Sequence, residues 1–177
     1  MHCDALAHMA CTLYLIRHGI AAPASARTSD ADRALTAEGT RKTVRVAQGL
    51  HALNVKPEVI LSSPLRRAQE TAEILASILA PDVAVEIDAS LAFGHEPQQV
   101  LQGLRSHRGA QHLMLVGHQP DMGELASYLL SGSALLAPLP FKKAATAAIT
   151  VASIPPRSAG ILEWFLTPSQ LRLIGRD

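Results

Sequence analysis

Short apolar segments alternate with segments of helical periodicity along most of the 177-residue chain, and this alternation restricts the fold more than any other feature. Strands that alternate with helices are typical of an α/β domain whose sheet is largely parallel. We therefore predict an α/β fold built as a three-layer α/β/α sandwich. Its predicted strands are residues 13–16, 59–61, 83–87, 113–116, 147–152 and 161–166.

Residue types at helix ends predict where the first two helices start and stop. Thr36 is the expected N-cap of the first helix, which runs to about Leu53. Ser63 and Pro64 are the types preferred at an N-cap and in a first turn, so the second helix is predicted to start there. Pro81 is predicted to end it.

Two more helices are predicted on either side of the strand at 113–116. Residues 97–105 have a helical pattern, and Asp121 followed by Glu124 predicts a capped helix start after the strand. The segment at 83–87 alternates as Val, Ala, Val, Glu, Ile, which predicts a strand, and we place this strand at an edge of the sheet.

Length and composition predict one domain over residues 12–177 and exclude several function classes. A hydrophobic content of 48% is enough for one core and excludes an intrinsically disordered chain. The net charge of +1 lacks the basic excess that nucleic-acid binding requires. The longest uncharged stretch, residues 125–141, contains serine, glycine and proline, so we expect no membrane segment.

Residues 1–11 are predicted to be a disordered leader, because they show no strong periodicity. The leader has no lysine or arginine and therefore does not resemble a secretory signal, which favours the cytoplasm. Both cysteines, Cys3 and Cys11, lie in this leader, so no disulfide is expected in the domain. The spacing of these cysteines with His2 and His8 matches no zinc pattern, and no metal site is predicted.

Basic side chains follow three of the predicted strands, each beside a glycine or proline. They are Arg17 and His18 after the first strand, Arg66 and Arg67 after the second, and His118 after the strand at 113–116. Because the carboxyl ends of parallel strands meet at one edge of a sheet, these side chains are expected to converge. Arginines, histidines and a helix N-terminus together suit a compact, multiply charged anion, of which phosphate fits best.

A histidine in such a pocket is expected to be chemically active. The neighbouring cations disfavour the protonated imidazole, so its pKa falls and the neutral, nucleophilic form dominates near pH 7. Phosphoryl transfer to this nitrogen requires positioning and charge stabilisation, which arginines supply without a metal or another cofactor. The chain has no Walker loop and no aspartate cluster for magnesium, which argues against a kinase or an NTPase.

Several motifs resemble those of the histidine phosphatase superfamily, whose fold is called phosphoglycerate mutase-like. The resemblance covers residues 12–175. The three motifs that carry it, in chain order, are LYLIRHG at 13–19, SPLRRA at 63–68 with Thr71, and VGH at 116–118. Two further segments are similar to those of the SixA-type phosphohistidine phosphatases within that superfamily, namely RALTAEG at 33–39 and LEWFLTP at 162–168.

The resemblance implies a role for each motif residue. His18 is the implied nucleophile and forms a phosphohistidine intermediate, while Arg17 and Arg67 hold the phosphoryl oxygens and His118 stabilises the transferring group. The family spacing, Ser-Pro-x-x-Arg-Ala, selects Arg67 and leaves Arg66 as a solvated neighbour.

One departure from the superfamily concerns the general acid. Phosphoglycerate mutases and broad phosphomonoesterases have a glutamate shortly after the third strand, where this chain has Ala92. Glu96, His95 and Asp88 are the alternatives for that acid. A phosphorylated imidazole leaves as a neutral ring and needs no acid, whereas an alkoxide does. The missing glutamate therefore favours cleavage of an N–P bond.

The sequence predicts a metal-independent phosphohistidine phosphatase that acts on a histidine-containing phosphotransfer domain. Two alternatives stay open, a broad phosphomonoesterase of small phosphate esters and a non-catalytic phosphate-recognition module. No cofactor, nucleic acid or membrane is expected as a partner. Arg33 is expected either to border the pocket or to pair with Asp30 or Asp32.

Overall fold

A computed structural model describes residues 10–26 and 29–176, and over these residues the chain forms a six-stranded sheet between two layers of helices. The predicted α/β sandwich is confirmed. Along the sheet the strand order is β3-β2-β4-β1-β5-β6. The strands are β1 (Cys11–Arg17), β2 (Val59–Ser62), β3 (Val85–Ile87), β4 (His112–Gly117), β5 (Thr146–Val151) and β6 (Ile161–Leu166).

The sheet is mostly parallel. The strands β3, β2, β4 and β1 run parallel to one another, whereas β5 pairs antiparallel with both β1 and β6. The edge position predicted for β3 is confirmed. Because β1 and β4 lie in the middle of the sheet with both faces covered, their side chains are buried on both sides, which explains why they read as continuous apolar runs.

Five α-helices cover the two faces over the described ranges. Successive residues of β1 point to opposite faces, so Leu15 packs on one side and Ile16 on the other. The Leu15 side is covered by α3 and α4, and the Ile16 side by α1, α2 and α5. The helices are α1 (Ala37–Ala52), α2 (Arg66–Leu79), α3 (Pro97–Gly103), α4 (Asp121–Ser131) and α5 (Pro168–Ile174).

Two of the predicted helix starts are wrong. The N-cap of α2 is Leu65, because the Ser63 N–H still donates to Val116 O and Ser63 therefore extends the sheet. The N-cap of α4 is Pro120, and Asp121 is the first helical residue. The prediction of Thr36 as the cap of α1 is confirmed, since its hydroxyl accepts a hydrogen bond from the Gly39 N–H.

The leader boundary is also corrected. Cys11 belongs to β1, where it pairs with Val151 and is buried, because the antiparallel register with β5 extends one residue beyond Thr12. It is a free thiol. The remainder of the predicted leader, apart from the exposed Ala10, lies outside the described residues.

The helix α5 is absent from the sequence predictions. Thr167 caps it, Pro168 occupies its first turn, and the Gln170 side chain accepts from the Thr167 N–H. These three residues form a capping box with an N1 proline, a signal that was present in the sequence. None of the helices over residues 10–26 and 29–176 combines the length and the apolar content needed to cross a bilayer.

Candidate active site

The register of β1 and β4 brings His18 and His118 together at the carboxyl edge of the sheet. Arg17 pairs with Gly117 in the parallel ladder, so the next residue of each strand is a histidine, and the His18 N–H donates to Gly117 O at 2.9 Å. The two imidazole centroids lie 5.1 Å apart. The convergence predicted for these two side chains is therefore observed.

His18 is held as a neutral imidazole with a defined tautomer. Its Nδ1 lies 2.7 Å from the Gly19 carbonyl oxygen, an acceptor, so Nδ1 carries the proton and Nε2 keeps its lone pair. Burial lowers the pKa of His18 to about 4, and the positive charges of Arg67 and Arg17 act in the same direction, although the hydrogen bond to Gly19 opposes them. At pH 7 its Nε2 is available as a nucleophile.

His118 is fully buried beside His18 and is neutral as well. Burial lowers its pKa to about 3, with further contributions from His18 and Arg67. Its Nε2 lies 2.8 Å from the Ser63 hydroxyl, which itself accepts from the Leu65 N–H. A Ser63 hydroxyl that donates to Nε2 leaves the ring proton on Nδ1, and Nδ1 has no hydrogen-bond partner among the described residues.

Arg67 is completely buried in the first turn of α2, and its neighbour Arg66 is not. The Arg67 guanidinium donates to the Asp30 carbonyl oxygen at 2.6 Å and to the Asp30 carboxylate at 2.9 Å. Arg66 forms an exposed ion pair with Glu70. The spacing that selected Arg67 over Arg66 therefore points to the residue that the structure places at the site.

Three buried donors at this edge lack a partner within the described part of the chain: Arg17 Nε, Arg67 Nε and His118 Nδ1. Buried N–H groups are nearly always hydrogen-bonded, and leaving one unpaired costs about 1–3 kcal/mol. An anion that accepted from these groups would remove that cost. Arg17 is oriented by a 2.8 Å bond from Nη1 to the Phe141 carbonyl oxygen.

Two motif residues, Thr71 and Gly19, make close contacts around the loop after β1. Its hydroxyl accepts from the Gly19 N–H at 3.0 Å and donates to the Arg67 carbonyl oxygen at 2.6 Å, so it connects the loop after β1 to α2. A Cβ on Gly19 would lie 2.5 Å from Thr43 Oγ1, so only glycine fits between the strand end and α1.

Asp30 is a site residue that sequence analysis placed only as a partner of Arg33. The structure shows that pairing, with 2.7 Å between Arg33 Nη2 and Asp30 Oδ1, and the same carboxylate also binds Arg67. Asp32 pairs instead with Ser29. Arg33 donates further to the Ala22 carbonyl oxygen. Its role is therefore to anchor the loop that holds Arg67.

Phe93 was not singled out from the sequence, yet it packs against two site residues. Its ring centroid lies 4.2 Å from that of His118 and 5.4 Å from Arg67 Cζ, while 47% of the side chain is exposed. It follows Ala92, the residue at the position of the missing acid. Asp121 lies close by, and burial raises its pKa, opposed by a hydrogen bond from the Gly94 backbone.

Two of the three alternatives for the general acid, Asp88 and Glu96, have other structural roles. Asp88 accepts from the Ser90 N–H and hydroxyl at 2.8 and 2.7 Å and so caps a short 3₁₀ turn. Glu96 is the exposed N-cap of α3. His95 is half-buried in the loop between them. Among residues 10–26 and 29–176, no three His, Cys, Asp or Glu side chains are grouped to bind a metal.

The lowered pKa values predict an unusual titration of both site histidines. By NMR, the imidazole signals of His18 and His118 should have titration midpoints below pH 5, whereas an unperturbed histidine has a pKa of about 6.5. Because the unfolded chain then binds more protons than the folded one, the free energy of unfolding should fall as the pH drops from about 6.5 towards about 4. Midpoints above pH 6 would contradict this description of the site.

Comparisons with known proteins agree with these motifs. Residues 13–93 match the model of the histidine phosphatase superfamily (branch 1). An uncharacterized protein of Picosynechococcus sp. (strain PCC 7002) is 43% identical over 135 residues, which are 68% of this chain and 73% of the relative. Phosphohistidine phosphatase SixA of Escherichia coli (strain K12) is 28% identical over 164 residues, 91% of this chain and 96% of SixA.

The fold is similar as well. The structure of the protein histidine phosphatase SixA complexed with tungstate superposes with a TM-score of 0.78 at 27% identity, covering 90% of this chain and 99% of the other. Sequence and fold therefore agree over nearly the whole length of SixA. The chain belongs to the histidine phosphatase superfamily, and within that superfamily its sequence and fold are similar to those of SixA.

Proposed function

We propose that this protein is a phosphohistidine phosphatase that hydrolyses the N–P bond of phosphorylated histidine in proteins. The proposal rests on the neutral His18 and on three nearby buried donors, from Arg17, Arg67 and His118, that have no hydrogen-bond partner among the described residues. The similarity to a protein named phosphohistidine phosphatase supports the same reaction.

The proposed first step transfers the phosphoryl group to His18. The lone pair on Nε2 attacks phosphorus, the substrate N–P bond breaks, and its electron pair returns to the substrate nitrogen. The ring leaves as neutral imidazole if its other nitrogen is protonated. Arg17, Arg67 and His118 donate hydrogen bonds to the equatorial oxygens of the phosphoryl group, which is compact and carries two negative charges. This step uses no metal and no cofactor.

The second step returns the enzyme to its starting state. Water attacks the phosphorus of phospho-His18, the bond to Nε2 breaks with its electron pair returning to Nε2, and inorganic phosphate leaves as H₂PO₄⁻ with both protons of the water. The Nδ1 hydrogen bond to Gly19 keeps the same nitrogen facing the phosphoryl group in both steps. His18 is thus nucleophile first and leaving group second.

Two observations favour an N–P substrate over an alkyl phosphate. Ala92 supplies no proton, and Asp88 and Glu96 serve as caps of a turn and a helix. Without an acid at the position of Ala92, an alkoxide leaving group loses about 10²- to 10⁴-fold in rate. We include in the proposal a cytoplasmic histidine-containing phosphotransfer domain as the protein substrate.

The deciding experiment compares kcat/KM for a phosphohistidine protein with kcat/KM for several sugar phosphates. We expect the phosphohistidine protein to be preferred by about 10²-fold or more, because only its leaving group needs no acid. A preference for sugar phosphates, with a pH profile that requires a protonated acid, would identify a phosphomonoesterase. Binding of phosphate without turnover would identify a recognition module.

Phe93 provides a second prediction about the leaving group. Its half-exposed ring borders the site and is available to stack on a substrate imidazole. Such an aromatic contact contributes about 0.5–1.5 kcal/mol, so Phe93→Leu should lower kcat/KM for N-phosphoimidazole by about 2- to 12-fold. For phosphoramidate, which has no ring, the same variant should lose less than twofold. Equal losses on both substrates would contradict a stacking role.

A further inference from the structure

A second pocket lies beside the proposed phosphoryl site, between α1, α5 and the loop that precedes β5. It encloses about 350 Å³ and reaches Arg17 and Gly19 at the end of β1. Neither His18, Arg67 nor His118 lines it. The pocket therefore adjoins the site described above without including its nucleophile.

The pocket is strongly basic. Five of the chain's sixteen lysines and arginines line it, and none of the lining residues is acidic. The chain as a whole has a net charge of only +1, so this concentration of cations is local. The five residues, which we call the basic pocket, are Arg17, Lys42, Lys142, Lys143 and Arg172.

Four of these five positive charges have no carboxylate partner among the described residues. Lys42 pairs with Glu38 at 2.6 Å, and Arg17 donates to the Phe141 carbonyl oxygen. Within residues 10–26 and 29–176, Lys142, Lys143 and Arg172 form no ion pair with a carboxylate. Like charges gathered in a concave site repel one another, and a bound anion relieves that repulsion.

A buried hydroxyl points to a ligand independently of the charges. Thr43 lines the pocket from α1, is only 1% exposed, and its Oγ1 has no hydrogen-bond partner among the described residues. Buried polar side-chain atoms in native structures nearly always have a partner. An oxyanion in the pocket would accept the hydroxyl proton and satisfy this group.

The pocket is close enough to the reacting centre to hold a different part of the same substrate. Arg17 belongs to both the pocket and the phosphoryl site, and the positive charge of Lys143 contributes to the lowered pKa of His18. A substrate with its phosphoryl group at His18 and a second negative group nearby would therefore occupy both sites together.

We propose that the basic pocket is a second anion site that binds a carboxylate of the protein substrate, next to its phosphohistidine. This inference rests on the proposed function and adds a substrate requirement to it: acidic residues beside the phosphorylated histidine. A small substrate with a second phosphate shares this chemistry, and the substrates of the test distinguish the two sources.

The test compares the wild type with Lys142→Ala/Arg172→Ala. Its substrates are N-phosphoimidazole, which has no second anion, a small bisphosphate, and two phosphohistidine peptides that carry either glutamates or glutamines beside the phosphohistidine. We expect the wild type to prefer the glutamate peptide by about tenfold in kcat/KM, and the double variant to lose that preference. Its kcat/KM for N-phosphoimidazole should stay within twofold of wild type.

The matched control is Arg105→Ala/Arg108→Ala, which removes the same charge from exposed positions outside the pocket and should keep the preference. Equal rates on the two peptides in the wild type overturn the inference for a protein carboxylate, whereas a preference only for small bisphosphates assigns the pocket to that source. Failure of the wild type on N-phosphoimidazole and both peptides overturns the proposed function instead.

A binding measurement separates the pocket from the reaction altogether. Citrate, a compact tricarboxylate, should shift the amide NMR signals at positions 142–144 and 172 in the wild type. In Lys142→Ala/Arg172→Ala, citrate should leave the signals at these positions unchanged. Absence of these shifts in the wild type overturns the inference whether or not the protein is active.

Discussion

Replacing His18 with alanine should reduce phosphatase activity by about 10⁴-fold or more, because the variant has no nitrogen to accept the phosphoryl group. His18 is buried, but its ring makes only one hydrogen bond within residues 10–26 and 29–176, so we expect the variant to fold. The measurement is turnover of a phosphohistidine protein together with trapping of acid-labile label on the enzyme. Wild type should retain label after rapid quenching in alkali, and His18→Ala should retain none.

The control for this experiment is His51→Ala, which removes an exposed histidine near the end of α1 and should trap label like the wild type. Label on the His18→Ala variant would place the covalent intermediate on another residue. If His18→Ala kept the wild-type rate of turnover and neither protein trapped label, a phosphoenzyme would be excluded, and with it the two-step mechanism.

Replacing Arg67 with alanine is expected to affect both activity and stability. The guanidinium is completely buried, donates twice to Asp30, and lies against Phe93. Loss of one donor to a developing oxyanion costs about 10²- to 10³-fold in kcat. Arg67→Lys keeps the positive charge but loses the planar, two-pronged donor geometry of the guanidinium. Compared with Arg67→Ala, it should therefore restore stability more than activity.

The neighbouring Arg66 offers a matched control for Arg67. Arg66→Ala removes an exposed pair with Glu70, and such surface pairs contribute about 0–1 kcal/mol. We expect its kcat and its midpoint of urea unfolding to stay close to those of the wild type. Equal losses of activity in the Arg66 and Arg67 variants would mean that the buried position of Arg67 does not determine catalysis.

The parallel part of the sheet and the position of the site were accessible from the sequence for one physical reason. Strands buried on both faces must be apolar throughout, so β1, β2 and β4 stand out, and the residues directly after them share one edge. His18 and His118 follow from that reasoning alone. Choosing Arg67 over Arg66 required the motif spacing, because both arginines occupy the first turn of the same helix.

The remaining features depend on contacts that local sequence does not encode. Ser63 has the residue type of an N-cap, but its N–H donates to Val116, and this long-range bond moves the helix start to Arg66. Phe93 contacts His118 across 25 positions of the chain, and nothing in its neighbours marks it as part of the site. Asp30 reaches Arg67 from a loop without periodicity.

The position of Asp30 has a consequence for how substitutions in this loop should be interpreted. Its carboxylate is 57% exposed and would ordinarily be classed as a tolerant surface position, yet it is the counter-ion of a fully buried arginine. Neutralising it would leave the guanidinium with a carbonyl oxygen as its only ligand among the described residues of that loop, and an uncompensated interior charge is costly. In a mutational scan, therefore, solvent accessibility alone would misjudge this residue, whose sensitivity should follow that of the side chain it supports.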